Sequence, residues 1–253
     1  MIALIGNLSR DEPAGRPPRV GGGPYHGARA LHRLHVPAWI VARCAVADRG
    51  LLLPPLVRLG TPVRYVPGES TASFSFHYEG DRREMRVEAL GDTWLPADVT
   101  AIPAVRWAHV AALARGEFPL ETVAALARRC RVSFDGQGLV RAPEVGPLRL
   151  DDGFDREILR HIWMLKLAEE EAEVLGDLTA LGVREVVVTR GSRGATLYLG
   201  GRSEHVPARA LSGDPTGAGD AFAAAYVVAR DAGFGPAVAA RRATAVVASL
   251  LAG

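Results

Sequence analysis

Short apolar runs alternate with helical patterns along most of this chain, and that rhythm constrains the fold more than any other feature. Beyond residue 100 the runs that predict strands are "VRWAHVAAL", "RVSFDGQG", "WMLKL" and "EVVVTRG". The helical patterns that follow the first three are "PLETVAALARRC", "DREILRHI" and "AEEEAEVLGDLTALG". Two more helical patterns end the chain, one from Asp220 and one from Pro236. Repeated strand–helix units predict a mainly parallel sheet flanked by helices. A length of 253 residues suits one such α/β domain, which we expect to span residues 1–253.

One segment breaks this rhythm. In "TASFSFHYEGDRREMRVEAL" the aromatic residues Phe74, Phe76 and Tyr78 alternate with polar ones, a turn follows, and a second alternating stretch runs to Ala89. Alternation on both sides of a turn predicts a half-exposed β-hairpin.

Composition excludes several classes of function. The chain is 48% hydrophobic with a formal net charge of +2, and its cationic residues are scattered, which argues against a nucleic-acid partner. It contains no apolar run of the roughly 18 residues that a membrane span needs, and no signal peptide is evident. Its two cysteines stand alone, so we expect a cytoplasmic protein. The only lysine is Lys166, so no Gly-Lys-Ser/Thr phosphate loop exists.

The stretch "SGDPTGAGDAF", residues 212–222, places small residues at the start of a predicted helix. Unpaired N–H groups and the helix dipole make such a terminus suited to an anion, so Gly217, Ala218 and Gly219 are candidates for an anion hole. Asp220 would repel the same anion unless it faces an attacking hydroxyl, whose proton it would accept. We expect the helix terminus to keep Asp220 ionised. The competing interpretation of Asp220 is a simple helix cap.

"DPTGAGDAF" resembles the signature of the ribokinase-like (PfkB) carbohydrate kinases, and other segments resemble that family in the same order along the chain. They are "GNLSRD", the substrate loop "GGGPYHGA", "VSFDGQG", "LKLAEEEA" at the family's NxxE motif, and "VVVTRGSRGA". The resemblance implies a three-layer α/β/α domain with a mainly parallel central sheet. The hairpin between about residues 60 and 90 would be a small β lid.

The resemblance also implies roles for individual residues. Asp220 would be the base and Gly217 to Gly219 the anion hole. The substrate would contact Asn7, Asp11, Gly21, Gly22 and His26. The ATP site would be lined by Thr189, Gly191, Ser192 and Gly194. Glu171 would organise Mg²⁺ through water, and Asp214 and Thr216 occupy positions that bind a monovalent cation, such as K⁺, in some members.

Two departures from the family pattern bear on activity. His26 stands where asparagine is usual in the substrate loop, and it is interpreted either as a hydroxyl donor or as a surface residue. Ala168 replaces the NxxE asparagine and cannot bind a ligand. Lys166, two residues earlier, either faces the phosphates or is a solvated residue at a strand end, and the second reading is slightly favoured.

Together these features predict an ATP-dependent phosphotransferase acting on an alcohol group of a cyclic polyol or simple sugar, with "WMLKLAEEEAEVL" similar to the inositol-kinase branch. The substrate is expected to be unphosphorylated, because nothing fixes Arg10 or Arg19 inward beside Asp11. A nucleoside kinase, with Tyr25, Phe74 and Phe76 as a wall for the base, and a non-catalytic sugar- or nucleotide-binding homologue remain alternatives. The lid hairpin also suggests a homodimer.

Overall fold

A computed structural model describes residues 1–79, 82–208 and 214–252, without the side chains of residues 77–79, 82 and 83. Its strands are β1 (Ile2–Asn7), β2 (Ser9–Pro13), β3 (Arg19–Gly21), β4 (Ala38–Ala45), β5 (Val63–Gly68), β6 (Ala72–Glu79), β7 (Arg82–Ala89), β8 (Trp107–Val110), β9 (Arg131–Asp135), β10 (Gly146–Pro147), β11 (Met164–Ala168), β12 (Glu185–Thr189), β13 (Ala195–Leu199) and β14 (Arg202–Val206). Its α-helices are α1 (Gly23–Leu34), α2 (Arg49–Val57), α3 (Pro96–Thr100), α4 (Leu120–Ala127), α5 (Gln137–Val140), α6 (Glu169–Leu175), α7 (Ala218–Asp231) and α8 (Pro236–Leu251).

Nine strands form the central sheet, in the order β14-β13-β12-β11-β9-β8-β1-β4-β5. The strands from β12 to β5 are parallel, and β13 and β14 are antiparallel additions at one edge. The parallel strands read as apolar runs because helices cover both of their faces. The predicted α/β class and mainly parallel sheet are confirmed.

The two faces of the sheet bury separate hydrophobic clusters. Along β1, Ile2 and Leu4 join the cluster beneath α1, α7 and α8, whereas Ala3 and Ile5 join the opposite cluster. Successive strand side chains point to opposite faces, so one apolar strand supplies both layers. The arrangement is the expected three-layer α/β/α stack.

A second sheet of five strands, in the order β10-β7-β6-β2-β3, forms the lid. The predicted hairpin is present as β6 and β7, and Phe74 and Phe76 of β6 are buried. The side chain of Tyr78 lies outside the described residues. The predicted lid boundary near residue 60 is wrong, because β5 pairs in parallel with β4 and so belongs to the central sheet. The sequence of β5 contains apolar residues and ends in Pro67 and Gly68, so sequence alone did not separate this edge strand from the hairpin that follows it.

Two predicted helices are shorter than their patterns suggested. The segment "DREILRHI" forms a 3-10 helix over Arg156–His161. The helix predicted from Ala168 to Gly182 forms only as α6, which ends at Leu175. Gly176 adopts a φ of 70° and terminates the helix there. No helix of the described chain is long and apolar enough to cross a membrane.

A buried polar cluster ties the sheet to α7. Glu185, the first residue of β12, accepts hydrogen bonds from the hydroxyl of Tyr226 at 2.7 Å and from Nη2 of Arg230 at 2.7 Å. The indole N–H of Trp163 donates to the same carboxylate at 3.3 Å. The Glu185 side chain is only 6% exposed, so its charge depends on these partners.

We expect Glu185→Ala to lower the free energy of unfolding by about 3 kcal/mol, because it leaves the guanidinium of Arg230 largely buried without its carboxylate. Urea unfolding measures the change. Glu204→Ala is the matched control: its partner Arg241 lies 3.6 Å away and both side chains are more than half exposed, so the loss should stay below about 0.5 kcal/mol. Equal losses in the two variants would contradict a stabilising role for the buried cluster.

Candidate active site

The carboxyl ends of the parallel strands and the lid enclose a cavity of about 230 Å³. Ligands commonly bind at this edge of open α/β sheets. The predicted site residues that line the cavity are Asp11, Gly22, His26, Glu171, Thr189, Thr216, Gly217, Gly219 and Asp220. Phe74 and Met85 line it from the lid. Distant segments of the chain therefore meet at one site, as the sequence predicted.

Asp220 lies in the first turn of α7, whose N-cap is Gly217 with a φ of 77°. The N–H of Ala218 donates to the carbonyl of Pro215 at 3.0 Å, so Ala218 is not an anion-hole donor. Within the described chain, the N–H groups of Gly219 and Asp220 make no hydrogen bond. Of the three residues predicted to form an anion hole, Ala218 thus has its N–H engaged, whereas the first turn around Gly219 keeps open N–H groups that could bind an anion.

The carboxyl of Asp220 is half-buried, with room provided by Gly23 at the start of α1: a Cβ atom there would lie 3.0 Å from Oδ1. Burial, and next the charge of Asp135, raise the pKa of Asp220 to about 7, although Lys166 lowers it. Burial and the charge of Asp135 therefore oppose the ionised form that the helix terminus was expected to maintain. A pKa near neutrality suits a group that accepts a proton.

Asp11 lies in the wall of this cavity. The hydroxyl of Ser9 donates to its Oδ1 at 2.7 Å, and both side chains are buried. Gly21 packs against this carboxylate so closely that a Cβ atom would lie 2.3 Å from Oδ1. Gly21 therefore makes space for Asp11 rather than lining the cavity itself. Asp11 has the position and chemistry to bind neighbouring hydroxyl groups.

His26 is buried in the cavity wall, so its interpretation as a surface residue is wrong. Its ring lies over Gly217, where a Cβ atom would come within 2.1 Å of the ring carbon Cγ. Gly217 is thus required both by its positive φ and by this contact. The contact between His26 and Gly217 therefore connects α1 to the start of α7.

Asn7, in contrast, is not brought into the cavity. Its Nδ2 donates to the carbonyl of Asp92 at 2.9 Å, and its Oδ1 accepts from the indole of Trp94 at 2.9 Å. Both ends of the amide are therefore used within the protein. The predicted contact between Asn7 and a substrate hydroxyl is corrected to a structural role.

A second cavity, of about 310 Å³, adjoins the first. It is lined by all four residues predicted for the nucleotide site, Thr189, Gly191, Ser192 and Gly194. Gly219 and Thr189 line both cavities, so the anion hole stands between them. The walls of the second cavity are mainly apolar, with contributions from Phe222, Thr244, Val247, Ala248 and Leu251. Its shape and lining suit a flat, apolar ring with phosphates reaching toward Gly219.

The carboxylate of Glu171, the residue predicted to organise magnesium, already contacts other groups of the protein. One oxygen of Glu171 accepts from the N–H of Ala168 at 2.8 Å, and the other lies 4.0 Å from Nη2 of Arg141. The described residues include no group of three or more His, Cys, Asp or Glu side chains placed to hold a metal ion. Ala168 adds only a methyl group. Direct coordination of Mg²⁺ by three protein ligands is therefore not offered by the described residues, and the role of Glu171 in organising Mg²⁺ through water stays a prediction.

The residues predicted for a monovalent cation are also engaged. Asp214 accepts from the hydroxyl of Thr216 at 2.6 Å, and Arg19 lies 3.2 Å from the same carboxylate. Although burial opposes it, these hydrogen bonds and the guanidinium lower the pKa of Asp214 to about 2. Arg19 supplies positive charge where K⁺ was expected, so the two side chains do not form a vacant cation site.

Some residues of the two cavities were missed by the sequence reasoning, and Lys166 was left with two interpretations. Lys166 is 3% exposed and lines the first cavity, so its reading as a solvated residue is wrong. Arg141, at the end of α5, lines the same cavity. The residues of α8 in the second cavity recur at helical spacing from Thr244 to Leu251, a signal that the sequence contained. Nothing in the local sequence marked Arg141.

The chain is similar to known proteins in both sequence and fold. The model of the "pfkB family carbohydrate kinase" family matches residues 87–252. An inositol 3-kinase of Zea mays is 34% identical over 195 residues, which cover 74% of this chain and 49% of that protein. An inositol 3-kinase of Oryza sativa subsp. japonica is 36% identical over 157 residues, 58% of this chain and 38% of that protein. The chain thus spans about half or less of these curated relatives.

A solved structure covers the chain more completely. A pyrophosphate-dependent kinase in the ribokinase family, complexed with a pyrophosphate analog and myo-inositol, aligns with a TM-score of 0.88 at 26% identity. The alignment covers 100% of this chain and 95% of that one.

Proposed function

The chain belongs to the pfkB family of carbohydrate kinases, and from that premise we propose that it transfers a phosphoryl group from ATP to a ring hydroxyl of an unphosphorylated cyclic polyol, with myo-inositol as the first candidate. One observation carries the proposal: Asp220 lines a polar cavity that meets an apolar cavity at the anion-hole residue Gly219.

In the proposed step, the acceptor hydroxyl oxygen forms a bond to the terminal phosphorus of the donor. The bond between that phosphorus and the bridging oxygen breaks, and the nucleoside diphosphate leaves with the bond's electrons. The proton of the hydroxyl passes to the carboxylate of Asp220. The N–H groups at the start of α7 stabilise the negative charge on the transferring oxygens.

The acceptor is held by Asp11, with His26 and the backbone at Gly22 completing the wall. Arg10 pairs with Glu12 at 3.0 Å and Arg19 with Asp214 at 3.2 Å, so both of these cations already have an acidic partner. Neither Arg10 nor Arg19 is therefore free to bind the phosphate of a sugar phosphate. This favours an unphosphorylated acceptor, and the inositol kinases among the relatives make a cyclic polyol the best candidate.

The donor is proposed to be a nucleoside triphosphate rather than pyrophosphate. Pyrophosphate has no apolar part, yet the second cavity offers apolar walls from Phe222, Val247 and Leu251. A nucleobase would bury its faces there while its phosphates extend to Gly219. Pyrophosphate is the alternative, since the solved relative described above is pyrophosphate-dependent.

A donor-consumption screen tests the function. ATP and pyrophosphate, each with Mg²⁺, are paired with myo-inositol, ribose, fructose, fructose 6-phosphate and adenosine, with and without K⁺. We expect the highest turnover with ATP and myo-inositol and no requirement for K⁺. If adenosine is the one acceptor of the five that is phosphorylated, the protein is a nucleoside kinase. Ligand binding without turnover would identify a non-catalytic homologue. Dimerisation through the lid stays a prediction.

A further inference from the structure

Lys166 is buried beneath the anion hole. It sits on β11 directly opposite Asp135 of β9, and its Nζ lies 3.3 Å from Oδ2 of Asp135. The two side chains are 3% and 0% exposed. It is also the only lysine among the 253 residues. A lysine is rarely buried to this extent without a partner or a task.

The ion pair with Asp135 does not use the whole ammonium group. An ammonium has three N–H donors, yet within the described chain Lys166 makes only this ion pair, and Oδ2 of Asp135 accepts no hydrogen bond. The ammonium also touches the anion hole, because a Cβ atom at Gly219 would lie 2.9 Å from Nζ. Lys166 lines the cavity beside Gly219 and Asp220. Its remaining donors are thus within reach of an anion bound there.

The cavity next to Gly219 is lined by several acidic side chains, so a bound phosphoryl group would need a cation held close to it. Asp220, Glu171 and Asp11 line the cavity and would repel an incoming phosphoryl group, whereas the cationic side chains of its wall are Arg141 and Lys166. Burial opposes the charged form of Lys166, but Asp135, Glu171 and Asp220 hold the pKa of its ammonium above the usual value. The lysine therefore stays protonated across the working range of pH.

On the basis of the proposed function, we propose that Lys166 is a catalytic residue that binds the phosphoryl group in transit, its ammonium donating to a phosphoryl oxygen beside the N–H of Gly219. Asp135 is its positioning residue, since the parallel register holds the two side chains next to each other. Ala168 offers no ligand at this point, and the described residues include no group of three or more side chains placed to hold a metal ion. Lys166 supplies the positive charge there.

Three variants separate catalysis from packing. Lys166→Met removes the charge but leaves Asp135 buried and unpaired, so it is expected to lose stability as well as activity. Asp135→Asn/Lys166→Met removes both charges and should recover the thermal midpoint. Asp135→Asn alone keeps the ammonium. With saturating myo-inositol and ATP, we expect kcat of the double variant to be about 10²-fold or more below that of Asp135→Asn, with KM for myo-inositol within about threefold.

The response of kcat to added amines distinguishes a catalytic role of Lys166 from a packing role, because restored packing alone would not depend on N–H donors. Lys166→Ala leaves a gap next to the cavity, and ethylammonium should restore part of its kcat, whereas tetramethylammonium, which has no N–H donor, should not. If the double variant matches Asp135→Asn in kcat and ethylammonium restores nothing, Lys166 is only the counter-ion of Asp135.

Failure of the proposed function is recognised separately. If the wild-type protein phosphorylates no polyol, the same comparison is made on the slow transfer of the terminal phosphate of ATP to water, which needs the anion hole but no acceptor. A loss of about 10²-fold or more in the double variant supports the role of Lys166, and an unchanged hydrolysis rate overturns it.

Discussion

Asp220→Asn is expected to lower kcat by about 10²–10⁴-fold while leaving the fold and the affinity for ATP nearly unchanged. The amide occupies the same space beside Gly23 but cannot accept the proton of the attacking hydroxyl. Steady-state kinetics with saturating myo-inositol measure the loss, and thermal unfolding and calorimetry with ATP are the controls. A variant that retains near wild-type turnover would mean that Asp220 only caps α7.

The same substitution has a signature in the pH profile. Asp220 accepts a proton only when ionised, and burial raises its pKa to about 7. The wild-type rate should therefore be lost as the pH falls through about 7 and reach a plateau above it. The residual rate of Asp220→Asn should be flat over this range. A wild-type rate that is flat down to about pH 5 would contradict the role of Asp220 as base.

Asp11→Asn is expected to reduce kcat/KM for myo-inositol by about 10²-fold, because a buried carboxylate that accepts hydrogen bonds from hydroxyls is replaced by a weaker, partly donating amide. The affinity for ATP should not change, since Asp11 lines the first cavity and not the second.

Glu12→Gln is the matched control for Asp11→Asn. Glu12 is the next residue, but its side chain is 40% exposed and pairs with Arg10. Its substitution should leave kcat/KM within about twofold, as expected for a surface ion pair. A loss shared by both variants would point to disturbance of β2 rather than to a lost substrate contact.

The central sheet and much of the site could be predicted because their signals are local. The apolar runs of β1 and β12 mark buried parallel strands, and the glycines before α7 mark an open helix terminus. Both signals come from a few consecutive residues, so sequence alone is sufficient for them.

Features that depend on long-range pairing could not be predicted in the same way. The amide of Asn7 is used by Trp94, 87 residues later, and no local pattern indicates such a partner. Lys166 reads as a strand-end cation until the register of β11 with β9 places it beside Asp135. The lid takes β2, β3 and β10 from outside the hairpin, which only the tertiary pairing reveals.

The most direct test of the account is the ratio of kcat/KM for myo-inositol to kcat/KM for fructose 6-phosphate, measured with ATP on the wild-type protein. Arg10 is paired with Glu12 and Arg19 with Asp214, so neither of these two cations is ready to bind a second phosphate, and we predict that myo-inositol is preferred at least about tenfold. A preference of tenfold or more for fructose 6-phosphate would contradict a site built for an unphosphorylated cyclic polyol.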